Sequence, residues 1–414
     1  MLTRLEVDGF KSLRDFSIDL GPFTVLVGPN SAGKSNILEA LALLSRLASE
    51  PIESAFKRGR GHAIDQFTLE SGTSVRTIRL AAELLLPTSI SVRGRSTNRV
   101  RYELRIRREP RPSGTETLVV EQERLSTIDR KHDAWTTAYP ALASRARHGP
   151  ACDIMRQEEE PAADALLAEF RRLRIQGDTE SPKAQLLQVP RTHTALAARR
   201  QGLTLAVLPA KRGAFPNPQT MIRLAPDTLV VLTLAGVHLL CLDRIQVPDE
   251  SERIGGASLA PDASNLPTVL ADLPARAIGE IRADLVALVP GISTFDVVSD
   301  KDHLRIELEL SGGDRLPARL VSAGTLRALT LLTALHSTSR PSILAIEEPE
   351  NGIYPGRLRT LLDLLREATT SVDVSTDGED SEGGDRIPPQ ILLTSHSPVV
   401  LAAQRRGPWR VQVH

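Results

Sequence analysis

The chain has 414 residues, of which 41% are hydrophobic, and its 51 basic side chains balance its 51 acidic ones. This length allows a large hydrophobic core, and we expect two or three lobes. Two cysteines, Cys152 and Cys241, are too few for a disulfide-rich scaffold, and neither lies in a metal-site pattern. No apolar run is long enough for a membrane span and no signal-peptide core precedes the first strand, so we expect a cytoplasmic protein with no membrane partner.

The first informative element is the apolar strand Phe23–Val27, which is followed by the loop "GPNSAGKSN" and a helix with one apolar face. The loop fits the P-loop pattern G-x-x-x-x-G-K-[ST]. Its glycines let backbone N–H groups turn toward phosphate oxygens, Lys34 can reach the β- and γ-phosphates, and the Ser35 hydroxyl can bind Mg²⁺. A chance match is the alternative. The predicted nucleotide-binding residues of this loop are Gly28, Pro29, Asn30, Ser31, Ala32, Gly33, Lys34, Ser35 and Asn36.

Next along the chain, "IRLAAELLLP" and "RVRYELRIRRE" read as a pair of strands. The segment Arg93–Arg111 holds eight arginines and two glutamates. The predicted charged face carries Arg101, Arg105 and Arg107, and the opposite face carries Tyr102, Leu104 and Ile106. The charged face is a candidate contact for nucleic-acid phosphates. The alternative is an ordinary solvated strand face.

After about residue 125 the regular strand pattern of the sequence gives way to short, interrupted helical patterns. We divide it into an N-terminal lobe with a β subdomain (1–125), an insertion of mixed helical and loop character (126–255) and a C-terminal lobe (256–414). In the last segment we expect two helices, within 264–273 and 276–291, and then a hairpin around Gly312-Gly313. The acidic stretch Asp373–Asp385 reads as a disordered loop.

Two further strand ends carry polar residues. The strand Ile343–Ile346 ends in Glu347 and Glu348, of which the first can hold Mg²⁺ and the second can polarise an attacking water. In "ILLTSHSPVVL", His396 follows the strand Ile391–Thr394 and can bond a γ-phosphate, because ligands gather at the carboxyl ends of parallel strands. The alternatives are two exposed glutamates and a structural histidine.

The segment "LVSAGTLRALTLLTAL" adds a second anion site, the Ser322–Gly324 turn at the start of a helix. One chain does not need two γ-phosphate sites, but two chains placed head to tail do, with each turn completing the partner's nucleotide site. The alternative is an ordinary helix cap by Ser322 or Thr325.

In this order, the P-loop, the S-x-G-x-x-R turn, the Glu-Glu strand end, the E-N-G loop and the S-H-S strand end resemble an ABC-type ATPase head. "LEVDGFKSLRDFSIDL", "EEPENGIYP" and "LLTSHSP" resemble the SMC/RecF/OLD branch, which includes AAA-family ATPases of bacterial DNA repair and anti-phage defence. The resemblance covers residues 1–50 and about 256–400. It implies these roles: Walker A at Gly28–Asn36, Walker B at Glu347, catalytic base at Glu348, signature at Ser322, Gly324 and Arg327, D-loop at Asn351, and H-loop at His396, with Lys34 and His396 also counted as catalytic.

The sequence departs from the branch at two places, since Glu347 replaces the usual Asp and Tyr354 stands where a His is common. The Q-loop glutamine has no assignment; Gln66 and Gln122 are candidates. In OLD nucleases a nuclease domain follows the head, whereas 18 residues follow His396 here, so we expect a separate nuclease or other effector subunit.

The resemblance implies an α/β fold, with a central mostly parallel sheet, an antiparallel β subdomain and a mixed insertion. It implies an ATPase that uses ATP and Mg²⁺, forms a homodimer around ATP, and acts as a switch on nucleic acid or an effector. One alternative is the ATPase subunit of a membrane transporter, which the "FKSL" start and the lack of a clear Q-loop oppose. Another is a small-molecule kinase, which the signature turn opposes.

Overall fold

A computed structural model shows how the chain is built. It describes residues 1–92, 95–158, 194, 230, 233–234, 236–242, 245–252, 258–300, 303–337, 341–351, 353–370, 389–397, 400 and 411–413. The acidic stretch Asp373–Asp385 and most of the 126–255 segment lie outside these residues. The chain forms two compact units. The first comprises Met1–Gly21, Glu39–Val237 and Asp377–Ile387, and the second comprises Pro22–Leu38, His238–Thr376 and Pro388–His414. The three-part division made from the sequence stays a prediction.

Strands and helices are numbered in chain order among the described residues. The strands are β1 (Leu2–Asp8), β2 (Phe16–Asp19), β3 (Phe23–Val27), β4 (Leu69–Glu70), β5 (Thr73–Ser74), β6 (Thr77–Val92), β7 (Arg95–Pro110), β8 (Glu116–Thr127), β9 (Asp153–Glu158), β10 (Val237–Cys241), β11 (Ser251–Glu252), β12 (Ile292–Asp300), β13 (His303–Leu310), β14 (Arg315–Pro317), β15 (Ile343–Glu347), β16 (Gln390–Ser395) and β17 (Val411–Val413). The helices are α1 (Lys34–Leu47), α2 (Ile52–Lys57), α3 (Ala134–Ala138), α4 (Pro140–Ala143), α5 (Leu266–Asp272), α6 (Ala275–Leu288), α7 (Ala323–His336) and α8 (Leu358–Thr370).

The first unit is built on an antiparallel sheet of six strands in the order β2-β1-β6-β7-β8-β9. Along β7 the side chains alternate between the core and the surface, so Tyr102, Leu104 and Ile106 are buried. This is the face that the sequence pattern predicts. The antiparallel β subdomain is therefore confirmed.

The second unit contains a five-stranded sheet in the order β10-β15-β16-β3-β17. The pairings β15–β16, β16–β3 and β3–β17 are all parallel. Every residue of β3 is buried, as expected for an apolar strand inside a parallel sheet. The predicted central, mostly parallel sheet is confirmed.

A smaller antiparallel sheet completes the second unit, with β13 between β11 and β12 and with β14 paired to β13. The turn from β13 to β14 contains Gly313 at φ +89°, a left-handed conformation that suits glycine. This confirms the hairpin that the sequence predicts around Gly312-Gly313. Helix α5 lies within the first segment that the sequence predicts to be helical, and α6 matches the second but begins one residue earlier, at Ala275.

The register of the parallel strands positions the chemistry of the second unit. Glu347 is opposite Thr394, Thr394 is opposite Leu26, and Ser395 is opposite Val27. The carboxyl ends of β15, β16 and β3 therefore lie side by side at one edge of the sheet. Each of these ends leads into a loop that carries predicted site residues.

Candidate active site

The loop between β3 and α1 has a left-handed backbone at two positions. Ser31 has φ +69° and Gly33 has φ +88°, and the chain enters α1 at Lys34. The residues Pro29–Ala32 are exposed. An exposed loop at the N-terminus of a 14-residue helix is suited to an anion, since the first N–H groups of the helix and its dipole both favour negative charge.

Lys34 is held against this loop. Its side chain is largely buried, and Nζ lies 2.8 Å from the carbonyl oxygens of both Gly28 and Pro29, to which it donates. An ammonium group has three N–H donors, so the third can serve a phosphate oxygen. The loop thus fixes the cation that the P-loop pattern predicts.

Ser35 and Glu347 are brought together although they are far apart in the sequence. The Ser35 hydroxyl donates to the carboxylate of Glu347, at the carboxyl end of β15. Hydroxyl and carboxylate oxygens are the ligands that Mg²⁺ prefers. The two residues therefore fit the magnesium site that the sequence predicts, with Ser35 from the helix and Glu347 from the strand.

Glu348 follows β15 directly and has φ +47°, which is uncommon for a residue other than glycine. Its N–H donates to the carbonyl oxygen of Thr394 at 3.1 Å. One carboxylate oxygen accepts a 2.9 Å hydrogen bond from Nδ2 of Asn351, and the other lies 3.2 Å from Nδ1 of His396. The structure thus brings the predicted base, D-loop and H-loop residues into contact.

Glu350 holds the end of β16. Its carboxylate accepts hydrogen bonds from the Ser395 hydroxyl at 2.6 Å and from the backbone N–H of His396 at 3.1 Å. The same oxygen lies 3.7 Å from Nδ1 of His396. His396 is itself exposed, so its ring is held from the side of Glu348 and Glu350 and is open to solvent elsewhere.

The signature residues lie at the start of α7. Ser322 caps this helix by accepting a hydrogen bond from the Thr325 N–H at 3.2 Å, which is the structural role left open by the sequence. Arg327 donates to the carbonyl oxygens of Leu242 and of Asn351. Within the described part of the chain, no hydrogen bond or ion pair joins Ser322 or Gly324 to the loop Gly28–Ser35. Their predicted contact with a nucleotide therefore stays a prediction.

The arginines of β7 are paired with acids. Arg101 lies 2.6 Å from Glu6 and 3.0 Å from Glu83. Arg105 lies 3.7 Å from Glu121, and Arg107 lies 2.6 Å from Glu109 and 3.7 Å from Glu121. The three arginines share a face as predicted, but neighbouring glutamates compensate their charge. The nucleic-acid contact stays a prediction, and these ion pairs weigh against it.

The sequence patterns did not identify two residues that support the site, and they left the Q-loop glutamine unassigned. Glu350 and Thr394 contact the predicted residues, yet neither had been assigned a role; the only signal was the repeated acid in "EEPE". Gln66, a Q-loop candidate, is buried and its amide donates to the Phe56 carbonyl oxygen at 2.8 Å, which is a structural contact.

Comparison with known proteins is consistent with this geometry. Residues 1–130 match a family model described as AAA ATPase domain. Residues 250–402 match one described as AAA domain, putative AbiEii toxin, Type IV TA system. The fold is that of an SMC head bound to the C-winged helix domain of ScpA, with a TM-score of 0.50 and 14% identity over 97% of this chain and 91% of that one.

The chain is similar to SMC/OLD-type ATPase heads. Two curated relatives match parts of it. An OLD nuclease of Thermus scotoductus is 52% identical over 44 residues, which is 11% of this chain. The structural maintenance of chromosomes protein 1 of Schizosaccharomyces pombe is 38% identical over 93 residues, which is 20% of this chain. Each match spans 8% of the relative's length. No helix among the described residues is long and apolar enough to cross a membrane.

Proposed function

We propose that the head binds ATP with Mg²⁺ in the loop Gly28–Asn36, hydrolyses it slowly, and uses the nucleotide to control its assembly. The observation that carries this proposal is the contact of Glu348 with Asn351 and His396 beside the Ser35–Glu347 pair. These groups lie at or after the carboxyl ends of three strands, β3, β15 and β16. Their convergence at one sheet edge is what water activation beside a phosphate requires.

In this proposal Lys34 binds the β- and γ-phosphates as a point charge, and the backbone N–H groups of the loop surround them. Ser35 and Glu347 would hold Mg²⁺, which supplies charge neutralisation on the phosphate oxygens when bound. Glu348 orients and polarises the attacking water. Asn351 holds one oxygen of Glu348, and the other oxygen, beside Nδ1 of His396, has a further lone pair that would accept from the water.

We further propose that two heads close around the nucleotide head to tail. Ser322 and Ala323 are exposed at the start of a 14-residue helix, and this turn so offers N–H groups and a helix dipole to a phosphate. A second copy would bring this turn to the γ-phosphate. The SMC head bound to a ScpA domain supports the idea that such heads also take partner proteins.

The same comparisons support a proposal for the cellular role. The partial matches to an OLD nuclease and to a chromosome-maintenance protein support a switch acting on nucleic acid or on an effector such as a nuclease, in DNA repair or phage defence. The effector would be a separate polypeptide, and ATP-driven closure of the heads would expose or occlude its binding surface.

Phosphate release from ATP by the purified chain, with Mg²⁺ and then with EDTA, tests the activity. We expect slow release that EDTA abolishes, with the phosphoryl group passing to water. Failure to bind ATP and to release phosphate would overturn the proposal. Transfer of the phosphoryl group to a metabolite would instead favour a kinase.

A further inference from the structure

We infer that Glu350 is a positioning residue, which fixes His396 so that its ring can read the third phosphate of the nucleotide. The inference rests on the proposed nucleotide site. It concerns a residue that lies outside the phosphate loop and outside the Ser35–Glu347 pair.

The first observation is that one oxygen of Glu350 organises the turn after β16. It accepts from the Ser395 hydroxyl at 2.6 Å and from the His396 N–H at 3.1 Å. Ser395 in turn accepts a 3.0 Å hydrogen bond from the Ser397 N–H. The backbone on both sides of His396 is therefore tied, directly or through Ser395, to one carboxylate.

The second observation is the position of the ring itself. Nδ1 of His396 lies 3.2 Å from Glu348 and 3.7 Å from Glu350, so two carboxylates flank the same nitrogen. Pro349 separates the two glutamates in sequence and has a fixed φ, which limits how far they can move independently. When Nδ1 donates to these carboxylates, Nε2 is the remaining ring nitrogen. It can donate to a phosphate oxygen in the imidazolium form, in which both ring nitrogens carry a proton.

The third observation separates this arrangement from a purely structural one. The Glu350 side chain is about nine-tenths buried, and its buried second oxygen has no hydrogen-bond partner among the residues that the structure describes. A carboxylate kept only for stability is expected to have both oxygens satisfied, because an unpaired buried oxygen is costly. The cost of the unpaired oxygen is explained if the Glu350 carboxylate is present because it positions His396.

The test compares the affinities for AMP-PNP and ADP, both with Mg²⁺, by isothermal titration calorimetry. In E350A we expect AMP-PNP to bind roughly tenfold more weakly and ADP to bind as in the parent, since only the third phosphate meets His396. H396A should show the same selective loss, and the E350A/H396A double variant should lose no more than either single variant. E350Q keeps an acceptor oxygen and should recover most of the affinity.

The matched control is E307A. Glu307 is a partly buried glutamate of β13 that pairs with Arg305, away from the strand ends of the site, and its removal should leave the ratio of the two affinities unchanged. S395A removes one hydrogen-bond donor to Glu350, and it replaces E350A as the test variant if E350A does not fold. It should show a smaller loss of the same selective kind.

Three outcomes would overturn the inference. E350A and S395A could bind AMP-PNP as the parent does while H396A does not. E350A could lose ADP and AMP-PNP affinity equally, which would mean a structural role. The E350A and H396A losses could add in full, which would mean independent action. A parent protein that binds neither nucleotide would instead refute the nucleotide site itself, and with it this inference.

Discussion

At the scale of single residues, Lys34 carries the first prediction. Replacing Lys34 with Ala removes the ammonium group that the loop carbonyls hold at 2.8 Å. We expect ATP affinity to fall roughly 10- to 100-fold, as for loss of a charged hydrogen bond, and hydrolysis to be lost. Titration with a fluorescent ATP analogue and a phosphate-release assay measure the two effects. Lys57→Ala, at the exposed end of α2, is the control and should behave as the parent. Parent-like binding by Lys34→Ala would show that the loop is not the nucleotide site.

Glu348 separates binding from chemistry. In Glu348→Gln an amide replaces the carboxylate that polarises water, so we expect turnover to fall roughly 100- to 10,000-fold while ATP still binds. Single-turnover hydrolysis and equilibrium binding are the measurements. Glu307→Gln serves as a control for the loss of one carboxylate. The base assignment is wrong if Glu348→Gln hydrolyses ATP at the parent rate.

The third residue-scale prediction concerns pH. Hydrogen bonding to Arg101, together with Arg4, lowers the pKa of Glu6 from its ordinary value of 4.5 to about 2. The folded state then binds fewer protons than the unfolded state between these values. The stabilisation is fully present above pH 4.5 and is lost as the pH falls through about 2.

Arg101→Gln should therefore raise the pKa of Glu6 toward 4.5 and should cost more folding stability at pH 6 than at pH 2. Carboxyl NMR titration gives the pKa, and urea unfolding at the two pH values gives the stability. Arg130→Gln, in an exposed turn, should change neither. An equal loss of stability at both pH values would mean that the pair contributes nothing through ionisation.

At the scale of elements, the sequence predicted the main strands and helices because their patterns are local. The buried run Phe23–Val27, the alternation along β7 and the Gly-Gly turn each lie within a few consecutive residues. The sequence could not predict which side chains on neighbouring strands pair with each other. The glutamates that pair with Arg101 come from β1 and β6, and one strand's sequence does not show what lies beside it.

The same limit applies to the site. Residues on strand ends could be proposed one by one, since each follows an apolar run. Their contacts depend on the register that places Glu347 opposite Thr394, and on the left-handed backbone at Glu348. Neither is encoded by a local pattern, so the support that Glu350 and Thr394 give to the site emerged only from the structure.

The charged face of β7 gives the element-scale prediction. If it contacts nucleic acid, replacing Arg101, Arg105 and Arg107 with Gln should weaken duplex DNA binding for all sequences alike and lower the salt slope by about one unit per lost contact. ATP hydrolysis without DNA should stay near that of the parent. A second triple variant, with Gln at Arg276, Arg282 and Arg315 of the other unit, removes the same charge and should retain the parent affinity. If the parent and both triple variants bind duplex DNA equally across a salt titration, the charged face of β7 is an ion-paired surface that does not contact nucleic acid.

At the scale of the whole molecule, we propose that two copies act as one enzyme. Ser322 lies at the exposed start of α7, whereas Lys34 and Glu348 lie at the ends of parallel strands, and the described residues show no bond between the Ser322–Gly324 turn and the phosphate loop. Two copies related by twofold symmetry would complete both sites at once. Ser322→Arg should then block closure and hydrolysis while leaving the folded monomer intact.

The measurement that tests this claim most directly is the ATPase rate of Ser322→Arg and Lys34→Ala mixed in equal amounts. Each variant alone should be inactive. In a mixed head-to-tail dimer both defects fall in one site and the other site is intact, so random pairing predicts recovery of about a quarter of the parent rate. No recovery, in a mixture where mixed dimers are shown to form by native mass spectrometry, would contradict the claim that the two heads share their sites.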